Sequence, residues 1–197
     1  MLVMKSFLRY SLIAVIFAGM SVRESIAQSP SSYAEPMKTS VKKNFRSIRT
    51  VGQKQDTAVF QWISFGRVDS LFDGTILYGY QQLVGKAKLN AYFAADDSGI
   101  VYYPGITQTE DSDAANELHA PLTAGSAWIY RLGDTARLRI SAIGETVAVP
   151  AGTYKNCVVV ETAPGVQKIY APDIGLIKIH EQSDNYSAVT ELVSAGQ

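Results

Sequence analysis

Few side chains in this chain are equipped for chemistry. There are two histidines, His119 and His180, and a single cysteine, Cys157. Neither histidine belongs to an i, i+4 pair or a His-Glu-x-x-His motif, and the sequence has no Gly-x-Ser-x-Gly elbow and no glycine-rich phosphate loop. A Ser-His-Asp triad can still assemble from distant positions, so a hydrolase stays open as a minor alternative. A non-enzyme is expected, with no catalytic residue, no cofactor and no metal. The stretch "ITQTEDSDAANELHA" between Ile106 and Ala120 carries Glu110, Asp111, Asp113 and Glu117 without a cation. Asp111, Asp113, Asn116 and Glu117 are oxygen ligands of the kind calcium accepts, but the EF-hand order of ligands and glycine is missing. A long, solvated acidic loop or a single helical turn is expected there.

Cys157 stands in "NCVVVE", among Val158, Val159 and Val160, where an inert buried thiol is expected and an activated one is not. A lone cysteine also excludes an intramolecular disulfide, so packing must supply stability. Binding chemistry is better represented, because the chain has eleven tyrosines and two tryptophans. Tyr78 and Tyr80 share a strand face with Ile76. Together with Trp128 and Tyr130 they make a candidate ligand-binding wall, apolar in body and polar at the tip. The alternative is that these residues are simply strand formers.

Other segments must place those rings. Residues 1–27 read as an export signal, with Lys5 and Arg9 at the start, an apolar run from Leu12 to Val22, and Ser25 and Ala27 at the −3 and −1 positions of a cleavage site after Ala27. A retained membrane anchor is the alternative. An exported protein, periplasmic or extracellular, is expected. The whole chain carries 18 cations and 18 acids. Losing Lys5, Arg9, Arg23 and Glu24 with the leader makes the remainder slightly acidic, which gives no reason to expect nucleic acid as a partner. Residues 28–36, "QSPSSYAEP", read as a flexible tether, and residues 37–197 as a single β-rich domain.

From Met37 to Gln55 the chain is basic and free of acids, with Lys38, Lys42, Lys43, Arg46, Arg49 and Lys54, while Val41, Phe45 and Ile48 recur at helical spacing. This predicts one short amphipathic helix. Its apolar stripe would cap a sheet, or its basic face, Lys38 to Lys54, would rest on a membrane surface or an acidic partner. From Thr57 onward the period becomes two, and turn residues recur every eight to twelve positions. In "ARLRISA", Leu138, Ile140 and Ala142 alternate with Arg137, Arg139 and Ser141, so one face is wet. Both faces are apolar in the middle of "TYKNCVVVE". "VPAGTYKNC" turns a corner between two strands: Pro150 fixes φ and Gly152 permits φ > 0, setting the register of Val147 and Val149 on the next strand. About ten or eleven short strands in meander order fit a mainly β protein. We expect an antiparallel curved sheet forming a barrel or half-barrel, since a flat sheet that wide is rare and exposes its edges.

"APLTAGSAWIY", "VAVPAGTYKNCVVVE" and "KIYAPDIGLIKI", spread over residues 120–193, resemble a C-terminal pattern in uncharacterised exported bacterial β-rich proteins. In that group a Pro-Leu…Gly…Trp entry is paired with a Val-Pro-Ala-Gly-Thr-Tyr hairpin and a Tyr-Ala-Pro…Gly-Leu closure. The group is distantly similar to the half-barrels of lipoprotein carriers, whose functional residues do not map onto this chain position by position. The resemblance implies a scaffold of turn and packing residues sheltering an apolar small molecule or lipid-like chain. A structural or assembly module that contacts other envelope proteins is the competing expectation.

Overall fold

The computed structural model describes residues 28–38, 40–70, 74–103, 114–163 and 165–196. The leader-like segment and most of the acidic stretch, Asp111 and Asp113 included, lie outside them. The described residues form one antiparallel sheet of twelve strands. These are β1 (Lys42–Val51), β2 (Lys54–Ser70), β3 (Ile76–Val84), β4 (Ala87–Ala95), β5 (Gly99–Tyr103), β6 (Ala115–His119), β7 (Ala127–Ile129), β8 (Arg137–Val149), β9 (Gly152–Ala163), β10 (Val166–Ala171), β11 (Gly175–Ser183) and β12 (Tyr186–Gly196). Their order in space is β6-β5-β4-β3-β2-β1-β12-β11-β10-β9-β8-β7. Two meanders, β1 to β6 and β7 to β12, are therefore joined where β1 pairs with β12.

The sheet curls until its ends almost meet, giving the expected barrel. Ala115 of β6 bridges Arg131 just after β7, and the Asn116 amide donates to the Tyr130 carbonyl at 2.7 Å. The Trp128 indole N–H donates to the Asn116 carbonyl at 2.9 Å. Closure removes most of the edge that a flat sheet would expose.

The helix expected between residues 37 and 55 is a correction: this segment is β1, paired along its length with β2 on one side and β12 on the other. Val41, Phe45 and Ile48 mimic a helical stripe, but a central strand has two ladders of backbone hydrogen bonds, which outweigh local propensity. The segment's missing acids come from neighbouring strands, with Arg49 3.3 Å from Asp56 and Arg46 3.8 Å from Glu191. Nor do residues 28–36 run free. Pro30–Lys38 is a 3₁₀ segment packed against the sheet, with Tyr33 and Ala34 buried. The Tyr33 hydroxyl donates to the Asn156 carbonyl at 2.9 Å, and Ser29 donates to the Asp97 carboxylate at 2.5 Å. The short apolar pair Tyr33-Ala34 drives this docking, since burying one tyrosine removes on the order of 200 Å² from water.

The β8–β9 connection is the corner that Pro150 and Gly152 predict: Val147 pairs with Tyr154 and Val149 with Gly152, which adopts φ 145°. The tip folds back on the sheet, the Ala151 amide donating to the Leu192 carbonyl at 3.1 Å. At the β9–β10 turn, Gly165 has φ 77°, and a Cβ there would stand 2.0 Å from the Gln182 carbonyl oxygen. Only glycine fits.

Two apolar clusters fill the interior. One gathers Phe93, Ile100, Leu118, Leu138, Ile140, Val158 and Val160 beneath Tyr33; the other gathers Phe45, Cys157, Val159, Ile169, Ile177 and Leu192. Period-two alternation along β9 sends Val158 and Val160 to the first and Cys157 and Val159 to the second. Cys157 has 0% exposure, and burial raises its thiol pKa. It should resist a thiol reagent such as 5,5′-dithiobis(2-nitrobenzoate) in the folded protein and react within minutes in denaturant; fast labelling without denaturant would contradict this packing.

Candidate functional site

An aromatic wall of six rings crosses five strands, two of the rings on β2 and one on each of the others. Phe45 stacks on Phe60 at 5.4 Å and meets Trp62 at 4.9 Å; Trp62 meets Tyr80 at 5.0 Å, Tyr80 stacks on Phe93 at 5.1 Å, and Phe93 meets Tyr102 at 5.3 Å. Period-two alternation makes this possible. Phe60, Trp62 and Ser64 on β2, Tyr80 on β3, Phe93 on β4 and Tyr102 on β5 share the concave face, and each pairwise ring contact adds about 0.5–1.5 kcal/mol beyond area burial.

In front of this wall lies a cavity of about 360 Å³. Trp62, Tyr80, Phe93 and Tyr102 form one side, and Leu176 and Ile179 of β11 add an aliphatic patch. Apart from Val41 and Gly175, the remaining lining is polar. Glu117 of β6, only 8% exposed, takes the Lys168 ammonium at 2.5 Å, the Tyr170 hydroxyl at 2.9 Å and the Tyr130 hydroxyl at 3.1 Å. Lys168 also lies 5.6 Å from the centre of the Tyr130 ring, as Arg131 does at 5.3 Å. Burial raises the phenol pKa of Tyr80, Tyr130 and Tyr170, and the nearby Glu117 charge raises it further. All three therefore stay neutral hydrogen-bond donors at neutral pH.

Lys43 is the other polar feature. It lies on β1 directly opposite Trp62 of β2, is 6% exposed, and donates to the Ile174 carbonyl. Among the described residues no carboxylate lies within ion-pair distance of it. Burial alone pulls its amine down from 10.5 to about 7. The Nε1 of Trp62 and the Nε of Arg131 are buried without a hydrogen-bond partner among the described residues. The cavity wall thus holds three cations, Lys43, Lys168 and Arg131, against one carboxylate already engaged by Lys168.

Of the four residues singled out from sequence, Tyr80 and Tyr130 line the cavity. Tyr78 pairs with Phe93 farther along β3, and Trp128 is 9% exposed in the core, stacked on His119 with ring centres 6.3 Å apart. Neither belongs to the lining. His119 contacts the neighbouring Ala120 carbonyl, while the Ser98 hydroxyl donates to Asp96 within its own turn. The acidic stretch is corrected at its C-terminal end: Ala115–His119 is strand, and Glu117 points inward. From sequence, Trp62, Phe93, Tyr102, Lys168 and Tyr170 are not assigned to a site, and Glu117 and Lys43 are read in other roles, as a candidate calcium ligand and as part of a basic face. Period-two phasing through Lys43-Asn44-Phe45 would have placed Lys43 beside Phe45 on the concave face.

No family model matches the chain, and no curated protein matches it. Among solved structures it is similar to a presumed exported protein with a YmcC-like fold from Bacteroides fragilis, at 13% identity over 81% of this chain and 97% of the other, with a TM-score of 0.49. A presumed lipoprotein from Parabacteroides distasonis is 13% identical over 86% of this chain and 100% of the other, with a TM-score of 0.41. A LolA-superfamily protein from Nitrosomonas europaea is 11% identical over 86% of this chain and 92% of the other, with a TM-score of 0.28.

Proposed function

We propose that this is an exported, non-enzymatic protein that shelters an apolar ligand, an acyl chain or a similar lipid-like molecule, in the concave side of its barrel. The observation that carries the reading is the cavity of about 360 Å³ lined by a continuous aromatic wall. An interior built only to stabilise the fold would be packed to the density of a crystal, with few voids larger than a water molecule. Ligand sites begin at roughly 300 Å³ and combine an apolar lining with a few fixed polar groups, as this one does. Export is supported by the leader-like sequence of residues 1–27.

Native mass spectrometry of the protein purified without detergent tests the reading. The expected result is a lipid-sized adduct, or, after organic extraction, saturable uptake of one fluorescent fatty acid per chain. A protein that shows neither is a structural module and not a carrier.

A further inference from the structure

We propose that the ligand of the cavity is a single-chain amphiphile with an anionic head, seated against the amine of Lys43 and the indole N–H of Trp62. This rests on the reading of the cavity as a ligand site and adds to it the class of ligand and its orientation.

Lys43 and Trp62 face each other across the β1–β2 ladder, so their Cβ atoms are about 5 Å apart, and both side chains line the cavity. Each is an expensive group to leave as it stands. A buried ammonium costs several kcal/mol unless a countercharge accompanies it, and among the described residues the acceptor that Lys43 reaches is the neutral Ile174 carbonyl. A buried indole N–H without an acceptor forfeits a hydrogen bond. One anionic oxygen pair placed between them would satisfy both, through charge-assisted bonds roughly twice as strong as neutral ones. The rest of the cavity fits the remainder of such a molecule: from Trp62 the rings of Tyr80, Phe93 and Tyr102 follow at van der Waals spacing, as a path for an alkyl chain. Glu117 does not compete for the head's position, since its oxygens are engaged by Lys168, Tyr170 and Tyr130. The amine's depressed pKa is consistent with a site whose countercharge arrives with the ligand.

The test is isothermal titration of the protein with dodecanoate, dodecyl phosphate and dodecanol, three molecules with one chain and different heads. At least one of the two anions should bind tenfold or more tightly than the alcohol, and which anion leads distinguishes a carboxylate from a phosphate ligand. Lys43→Met should reduce that preference to near unity, and Trp62→Phe, which keeps the ring and removes the N–H, should lower anion affinity severalfold. Equal binding of acid and alcohol would overturn the head-group assignment while leaving the apolar cavity intact. Binding of none of the three would overturn the cavity reading itself. If Arg131→Met abolishes the preference and Lys43→Met does not, the head is held by Arg131 and the assignment is wrong. Circular dichroism of each variant establishes that it is folded.

Discussion

Replacing Glu117 with alanine should destabilise the protein by about 3 kcal/mol or more, among the largest effects of any single substitution away from the apolar core. The carboxylate is almost fully buried and accepts three hydrogen bonds, from Lys168, Tyr170 and Tyr130. Removing one member of a buried pair strands the other charge and typically costs 3–5 kcal/mol. The Lys168 side chain retains 20% exposure, which places this pair near the lower end of that range. The consequence is local as well as global. β6 is the terminal strand of the sheet, and Glu117 ties it to β10 across the barrel and to Tyr130 beyond β7. In Glu117→Ala the seam between β6 and β7 should open, so amide exchange in Ala115–His119 should accelerate well before that of β9. The double variant Glu117→Ala with Lys168→Met should recover part of the loss, because no charge is then left unpaired. Urea unfolding of the four proteins provides the cycle, and a cost below about 1 kcal/mol for Glu117→Ala would show that the network is solvated.

The second large effect depends on pH and has the opposite sign. The Lys43 amine titrates near 7 in the folded protein against an ordinary value of 10.5. Between those values the unfolded chain holds a proton that the folded chain does not, so stability rises with pH by up to about 1.4 kcal/mol per unit. Below pH 7 the amine is charged in both states and the penalty of burying it is present in full. Lys43→Met keeps the length of the stem and removes the charge, at the cost of a donor to the Ile174 carbonyl, about 1–3 kcal/mol. The variant should therefore be about 2 kcal/mol more stable than the parent at pH 6, with the gain shrinking above pH 7 and reversing near about pH 8.5. Denaturant unfolding of both proteins at pH 6, 7.5 and 9 measures it. A difference that does not change with pH would mean that the amine is hydrated or paired in the folded state.

What the sequence made legible was the β scaffold. Clean alternation in Leu138-Arg139-Ile140, the doubly apolar middle of Cys157-Val158-Val159-Val160 and the Pro150…Gly152 corner each have one physical reading, and each sits in the structure as that reading requires. The N-terminal quarter was harder. In Lys42–Val51 neither strand face is uniformly apolar, because the concave face carries Lys43 and Ser47 beside Phe45. Three apolar residues at helical spacing therefore outweighed a period of two. What fixes that segment is its pairing with β12, some 150 positions away, as in the Asn44 to Ser194 hydrogen bond. The cavity was half legible for the same reason. Tyr80 and Tyr130 announce themselves as aromatics in strands, whereas Glu117 and Lys168 become a site only when β6 and β10 are brought face to face by the curl of the sheet. No local pattern encodes that distance. Trp128 illustrates the converse: an aromatic of the right type that the fold spends on its seam, donating to the Asn116 carbonyl.

The most direct measurement of the central claim uses the chain's two tryptophans, one in the cavity wall and one in the seam. With Trp128→Phe, fluorescence reports Trp62 alone. Titration with dodecanoate brominated in mid-chain should quench that emission in a saturable manner at one equivalent per chain, while unbrominated dodecanoate competes the quenching away. Emission that is unchanged, or that falls equally with the brominated acid in excess unbrominated competitor, would show that no acyl chain lies against the aromatic wall.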